Sequence, residues 1–335
     1  MKNLILLLIV VLFVVGSCKD DNKFDIDVSD INIDIKFNRF DNDLFELDID
    51  SIYNEVPNLA HKYGEFFDMF THRIINIGGI ENKAFPDHLK LFIEDRINKE
   101  AYDYSQNIFS DFSKQEEEII EAFKHYNFYF PEKPIPDIYL YVSGFNQSVV
   151  TAENIIGIGI DKYMGSNCDY YHLLRLPQYM RYKMRQEMIV VDCMKAWAQS
   201  EYEFDELESN LMENMLYKAK IQYFINAMLP NKADTLKWGF PNAKLEWCRN
   251  NEQHIWYYLI DNKLLFSSDY MEIKRFTNDG PFTTSFTNES PARASVWLGM
   301  QVIEGYLKNN PEVSFQDLMN ETDYQKILNN SRYEP

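Results

Sequence analysis

Leu4 to Val15 is an unbroken run of twelve apolar residues behind the short basic start Met1-Lys2-Asn3. A membrane-spanning helix needs about 20 such residues, so this run is too short to cross a bilayer. Its length and flanks suit the hydrophobic region of a secretory signal peptide. It ends in Val15-Gly16-Ser17-Cys18, small residues leading directly into a cysteine. Residues 1–17 are therefore expected to be a leader, and the fold must be built from the residues after it.

Those residues can build a core. The 335 residues of the whole chain are 46% hydrophobic, which argues against a wholly disordered protein. The 52 acidic side chains outnumber the 33 basic ones and give a formal charge of −19. A surface so acidic repels phosphate backbones and anionic headgroups. No nucleic-acid partner is expected, and membrane attachment through a basic patch is excluded. The 22 Tyr and 24 Phe supply either core rings or an interaction surface, since Tyr is favoured at interfaces.

The ending Val15-Gly16-Ser17-Cys18 resembles the lipobox of bacterial lipoproteins. That resemblance implies acylation of the Cys18 thiol and cleavage that makes Cys18 the new N-terminus. Each buried acyl CH₂ is worth about 0.8 kcal/mol, so two or three chains would hold the protein on a membrane. The anchor is then lipid and not helix. Residues 18–30 are polar and rich in Asp, and read as a lipid-anchored acidic tether. Lys19-Asp20-Asp21 also resembles the surface-export tags of Bacteroidota lipoproteins. Beyond the anchor stand Cys168, Cys193 and Cys248, an odd number that permits at most one intrachain disulfide.

Residues 31–335 read as a single α-rich globular domain. Ile31, Ile33, Ile35 and Phe37 alternate with polar residues, the period of a half-buried strand. Leu59, Tyr63, Phe66, Phe67 and Phe70 fall at helix spacing, and helical stretches continue through 84–127 until Pro131, Pro134 and Pro136. Short apolar strands are expected at 138–142 and 155–160, with a turn over 151–154. Helices are expected over 184–200, 209–229 and 241–261. Ser290-Pro291 reads as an N-cap and first helical residue, opening a helix to Leu307. The fold class is α+β, predominantly helical, with a small β-sheet.

The usual chemical signatures are missing. No two of the six histidines lie three to five residues apart, so no HExxH zinc pair exists. Walker, GxGxxG and GxSxG motifs are absent. Gly157 and Gly159 sit inside an apolar strand without a following helix N-terminus, so they read as packing residues. Asp41-Asn42-Asp43 begins like a calcium loop but lacks the central Gly and the bidentate Glu. No carboxylate pair is marked as an acid with a base partner.

Four ordered blocks carry a stronger signal. They are IGIDKYMGSNCDYY, LPQYMRYKMRQEMIVVDCMKAWAQSEY, NLMENMLYKAKIQYFINAMLP and ESPARASVWLGMQVIEGYLKNNPEVSFQDLM. Together with the lipobox they resemble the gliding-motility lipoprotein GldB family of Bacteroidota. The resemblance implies a lipid-anchored protein of the cell envelope, needed for gliding and for type IX secretion, with other proteins of that machinery as partners.

That family is similar to zincin-type metallopeptidases, which implies a zincin-like helical body. In active zincins HExxH places two His one turn apart on a helix. Here Asp192 and Ala196 stand at the ligand positions. Lys218 stands where a later helix would supply a carboxylate, and family relatives often carry Glu-Gly where this chain has Lys218-Ala219. The resemblance therefore implies a metallopeptidase scaffold without catalysis, metal or cofactor beyond the covalent lipid. Asp161, Tyr163, Glu289, Ser290, Pro291, Arg293 and Trp297 lie in the matching blocks and are the candidate interaction residues. Each also has a structural reading: Trp297 as core, and Arg293 as a partner of Glu289 one turn earlier. Two alternatives stay open at this point, an envelope metallohydrolase and a surface ligand-binding lipoprotein.

Overall fold

Alternate residues of one small sheet serve two different cores. The computed structural model describes residues 22–335, so Cys18 and the leader lie outside the described residues. Strands β1 (Phe37–Asn38), β2 (Asp137–Tyr141), β3 (Val149–Ala152) and β4 (Ile155–Gly159) pair in the order β1-β2-β4-β3. β1 and β4 run parallel to β2, and β3 runs antiparallel to β4. Successive strand side chains point to opposite faces. Ile138, Leu140, Ile156 and Ile158 accordingly enter the larger core, while Tyr141 and Ile155 enter a smaller one.

The glycines of β4 lie on the second face and make room there. A Cβ on Gly157 would stand 2.8 Å from Val150 Cγ2 and 2.9 Å from the Phe66 ring. Phe66 uses that space to stack on Tyr139 with centroids 4.5 Å apart. The packing role expected for these glycines is what the structure shows.

The smaller core is built by α1 (Phe40–Phe45), α2 (Ile52–Met69) and α3 (Phe85–Glu94) against this face of the sheet. Leu59, Tyr63, Phe66 and Phe67 are all buried along α2, and Phe70 follows in a wider turn over Phe70–Ile74. Helix α4 (Arg96–Phe109) starts at Asp95, whose carboxylate accepts from the Ile97 and Asn98 N–H groups. Helix α5 (Ser113–Tyr129) ends just before Pro131.

The larger core holds α6 (Ile189–Glu201), α7 (Leu211–Met228), α8 (Asn242–Asn250), α9 (Glu252–Asp261), α10 (Tyr270–Thr277), α11 (Ala294–Asn309) and α12 (Tyr324–Ser331). Helix α7 is buried on nearly every side, as a helix apolar all round must be. An Asn210–Glu213 capping box opens it. Helix α11 crosses α7 at Gly299, where a Cβ would stand 2.9 Å from the Met215 carbonyl oxygen. The result is a predominantly helical α+β fold, as the composition and periodicity imply. No helix among the described residues is long and apolar enough to cross a membrane.

Several local expectations are corrected. Burial alternates from Ile31 to Phe37, but only Phe37 and Asn38 pair with β2. Ile33 and Ile35 pack on the core without a ladder partner, so burial and not pairing sets that period. Thr151 and Ala152 belong to β3, which leaves Glu153 and Asn154 as the turn. The helix expected from Met184 starts at Ile189, because the Met184 carbonyl is taken by the Gly165 N–H at 2.9 Å.

The acidic stretch read as a tether is packed where it is described. Phe24 and Val28 are buried, Phe24 meets the edge of Tyr223 at 5.0 Å, and Asn22 donates to the Pro230 carbonyl at 2.8 Å. Cys168, Cys193 and Cys248 are all free thiols, each buried.

Candidate functional site

A cavity of about 390 Å³ is lined by α6 and α7 beside the turn that follows α10. Asp192 and Lys195 reach it from α6, one helical turn apart on the same face. Lys218 reaches it from α7, and Lys183, Asp279 and Arg293 come from the loops around. A second hollow of about 370 Å³ adjoins it, lined by Tyr163 and Ala196 and sharing Lys183, Asp192, Lys195 and Asp279 with the first. Five cations and three carboxylates line the first cavity. In a chain with 52 acidic and 33 basic residues, that balance is reversed.

One carboxylate oxygen organises the outer wall. Oδ1 of Asp279 is 2.7 Å from Nζ of Lys183 and 2.9 Å from Nε of Arg293. Burial pushes the Asp279 carboxyl up, but Arg293, Lys183 and Lys195 outweigh it and hold it well below the usual carboxylate range. Burial, with Arg293 adding repulsion, pushes Lys183 down to about 8. The Arg293 guanidinium also donates to the Trp238 carbonyl at 2.8 Å and lies over the Phe240 ring.

The inner wall is set differently. The buried hydroxyl of Tyr163 donates to Oδ2 of Asp192 at 2.8 Å. Burial raises the Asp192 carboxyl, while Lys195 and the Tyr163 hydrogen bond pull it back. Lys218 donates to Asn278 Oδ1 at 2.9 Å and pairs with Glu206 at 3.1 Å. Burial lowers its ammonium, and Glu206 opposes the shift. Lys195 lines both hollows as Lys183, Asp192 and Asp279 do, but unlike them it makes no hydrogen bond or ion pair within the described residues.

The structure thus brings together some of the residues singled out from sequence and scatters others. Tyr163, Asp192, Lys218 and Arg293 meet at the cleft, with Ala196 at its second hollow. Asp161 lies elsewhere, fully buried, accepting from the Ser143 and Phe145 N–H groups at 3.1 and 2.6 Å. It thereby holds a turn in which Gly144 and Phe145 both have positive φ. Trp297 fills the larger core. Glu289 is exposed on the surface, while Ser290 and Pro291 are buried behind it.

Two readings of this region are overturned. Arg293 pairs with Asp279 and not with Glu289. Ser290 does not cap α11: its hydroxyl accepts from the Thr283 N–H at 3.2 Å, and the helix begins only at Ala294 after Arg293 in the left-handed region, φ +58°. Thr283 supplies the missing acceptor, taking the Ala294 N–H on Oγ1 at 3.3 Å. A residue eleven positions away in sequence has displaced the local cap.

Lys183, Lys195 and Asp279 were not legible as site residues. The signal for Lys195 was present all the same, a lysine one turn after Asp192 in the apolar run Ile189 to Ala198. Asp279 stands in Asn278-Asp279-Gly280-Pro281, a turn signature with no chemical hint. Among the described residues no group of three or more His, Cys, Asp or Glu side chains is close enough to hold a metal ion.

The fold is thus a helical α+β scaffold that presents convergent polar groups in a charged, cation-rich cleft between two core helices. Its lineage is more definite. The family described as gliding motility protein GldB matches residues 21–335, and the chain belongs to that family. The four blocks that suggested it are therefore parts of a match over nearly the whole chain, and membership implies a role in gliding motility. No curated protein and no solved structure matches the chain.

Proposed function

We propose that this protein is a lipid-anchored component of the cell envelope that serves gliding and the associated type IX secretion machinery by binding, without catalysis. Family membership over residues 21–335 is the observation that carries this reading. The apolar leader ending in Gly16-Ser17-Cys18 supports the anchor, with Cys18 as the acylated residue and the membrane as one partner. Other proteins of the motility and secretion machinery are the remaining partners.

The cleft supports binding over catalysis. On the zincin-like reading Asp192, Ala196 and Lys218 occupy former ligand positions, and all three border the same pair of hollows. Asp192 is committed to Tyr163, and Lys218 brings a cation that would repel a metal ion. The scaffold then keeps its concavity and offers a fixed electrostatic lining in place of a metal.

The test is colony spreading by a strain lacking the gene, complemented with wild type or with Cys18→Ala. Spreading lost in the deletion and restored only by the wild type is the expected result. Normal spreading and secretion in the deletion strain would remove this function.

A further inference from the structure

The geometry points to the α6–α7 cleft as a binding site for a small anion, whose carboxylate or phosphate group is held by Lys195 with Lys218 and Arg293 around it. This rests on the reading of the cleft as a binding site and names the chemistry of its ligand.

The argument begins with charge placement. The chain carries a large excess of acidic residues, so its surface at large repels anions. Five of its cations nevertheless converge on one cavity of about 390 Å³ with three carboxylates. The carboxylates are already spoken for: Asp279 sits between Lys183 and Arg293, Asp192 accepts from Tyr163, and Glu206 pairs with Lys218.

Lys195 is left over. It is half-buried on α6 and makes no hydrogen bond or ion pair within the described residues, although its charge acts on Asp192 and Asp279 across the cleft. An anion entering the cavity would give this ammonium the direct partner it lacks, through charge-assisted hydrogen bonds. Charge interactions in such a partly enclosed site are several times stronger than in bulk water.

The cavity also shows what else the ligand carries. Met188, Ile221, Ile225 and Trp238 form an apolar wall beside the cations. Gln222, at the same wall, already donates to the Lys237 carbonyl, so it is oriented and not free to collapse into the space. A short hydrocarbon body bearing a carboxylate or phosphate group fits this pairing, and the volume lies in the range of small-ligand sites. A carboxylate-bearing and a phosphate-bearing ligand present the same charge to Lys195.

The test uses the full-length protein purified in detergent. Calorimetric titration at pH 7 with sodium phosphate and with sodium succinate is compared with chloride at matched ionic strength. Saturable binding of one of the two anions is expected. Lys195→Gln should weaken it at least tenfold, and Lys195→Glu should abolish it. Lys195→Gln should melt close to the wild type without ligand, because Lys195 makes no hydrogen bond or ion pair within the described residues. Lys195→Glu sets a further carboxylate beside Asp192 and Asp279 and should melt lower. Stronger binding of phosphate assigns a phosphoryl ligand, and stronger binding of succinate assigns a carboxylate ligand.

The inference is overturned if neither anion binds above chloride, or if Lys195→Gln binds as tightly as wild type. Either result leaves the motility role untouched, since that role is judged by the spreading of the deletion strain. Conversely, normal spreading of the deletion strain would sink the motility reading while leaving measured anion binding intact.

Discussion

Nε of Arg293 lies 2.9 Å from Oδ1 of Asp279, yet the N–H does not point at that oxygen, so the contact is an ion pair and not a hydrogen bond. Lys183 approaches the same oxygen at 2.7 Å with hydrogen-bond geometry. One carboxylate therefore ties the turn after α10 both to the start of α11 and to the loop before α6. That tie shapes the outer wall of the cleft.

Arg293 is held in the left-handed region at φ +58°, a conformation that costs a non-glycine residue roughly 1–2 kcal/mol. Its side chain offsets that cost through Asp279, the Trp238 carbonyl and the Phe240 ring. Arg293→Ala keeps the strain and loses the contacts, and should destabilise by roughly 2 kcal/mol. Arg293→Gly loses the same contacts but relieves the strain. Thermal midpoints should fall in the order wild type, Gly variant, Ala variant. An Ala variant at least as stable as the Gly variant would contradict this account of the backbone.

Gly299 is the point of closest approach between α11 and α7. Ala is the better helix former by about 1 kcal/mol, which by itself favours Gly299→Ala. The new methyl would lie 2.9 Å from both Met215 Cγ and the Met215 carbonyl oxygen, and 3.0 Å from Ala219 Cβ. A side chain can yield, but the backbone of a buried helix cannot do so cheaply. Overpacking of this kind costs about 1–3 kcal/mol and should win. The urea midpoint should drop, and an unchanged or raised midpoint would show that α11 slides freely over α7.

Asp161 makes stability depend on acidity. Burial pushes its carboxyl up to about 6, with the Phe145 and Ser143 N–H groups and Lys162 pulling it back. Its folded value exceeds its unfolded value near 3.8, so the folded state binds the proton more tightly. The group costs nothing below pH 4 and destabilises increasingly as pH rises to 6. Over that window the cost reaches about 3 kcal/mol. Asp161→Asn keeps an acceptor for the two N–H groups and cannot ionise. The variant's stability relative to wild type should therefore increase from pH 4 to pH 6.5 and then level off. A difference that stays flat across this range would show that Asp161 does not titrate there.

Cys168, Cys193 and Cys248 are buried thiols without disulfide partners among the described residues. Burial raises each of them, Cys248 to about 12 and Cys193 well above its usual value, so the reactive thiolate is scarce. A thiol reagent at pH 8 should leave all three unmodified in the folded protein within minutes and label all three after denaturation. Mass spectrometry of the labelled peptides identifies each site. Fast labelling of Cys193 in the native state would mean that α6 opens readily from the core.

The path from sequence to site was uneven for physical reasons. Apolar spacing placed α2 and its buried aromatics, because a helix that must cover a core repeats its apolar residues. The same logic misjudged residues 31–36, whose alternation comes from packing on the core and not from a ladder. Tyr163 and Asp192 were both singled out, but for separate reasons, and nothing along 29 residues of chain said that they touch. Ser290 obeyed the local rule for a helix cap and lost its role to Thr283, which reaches the same place from earlier in the same loop.

From sequence alone came the helical α+β class, the packing role of the β4 glycines and the family to which the chain belongs, together with the expectation of a leader ending at Cys18. Those rest on composition, period and motif order, which are properties of neighbours along the chain. Tertiary structure alone decided that Lys183 and Arg293 share one oxygen of Asp279, and that Lys195 faces a cavity with no hydrogen bond or ion pair among the described residues. Charge interactions act across a few ångströms of space whatever the separation in sequence, so the site had to wait for the fold.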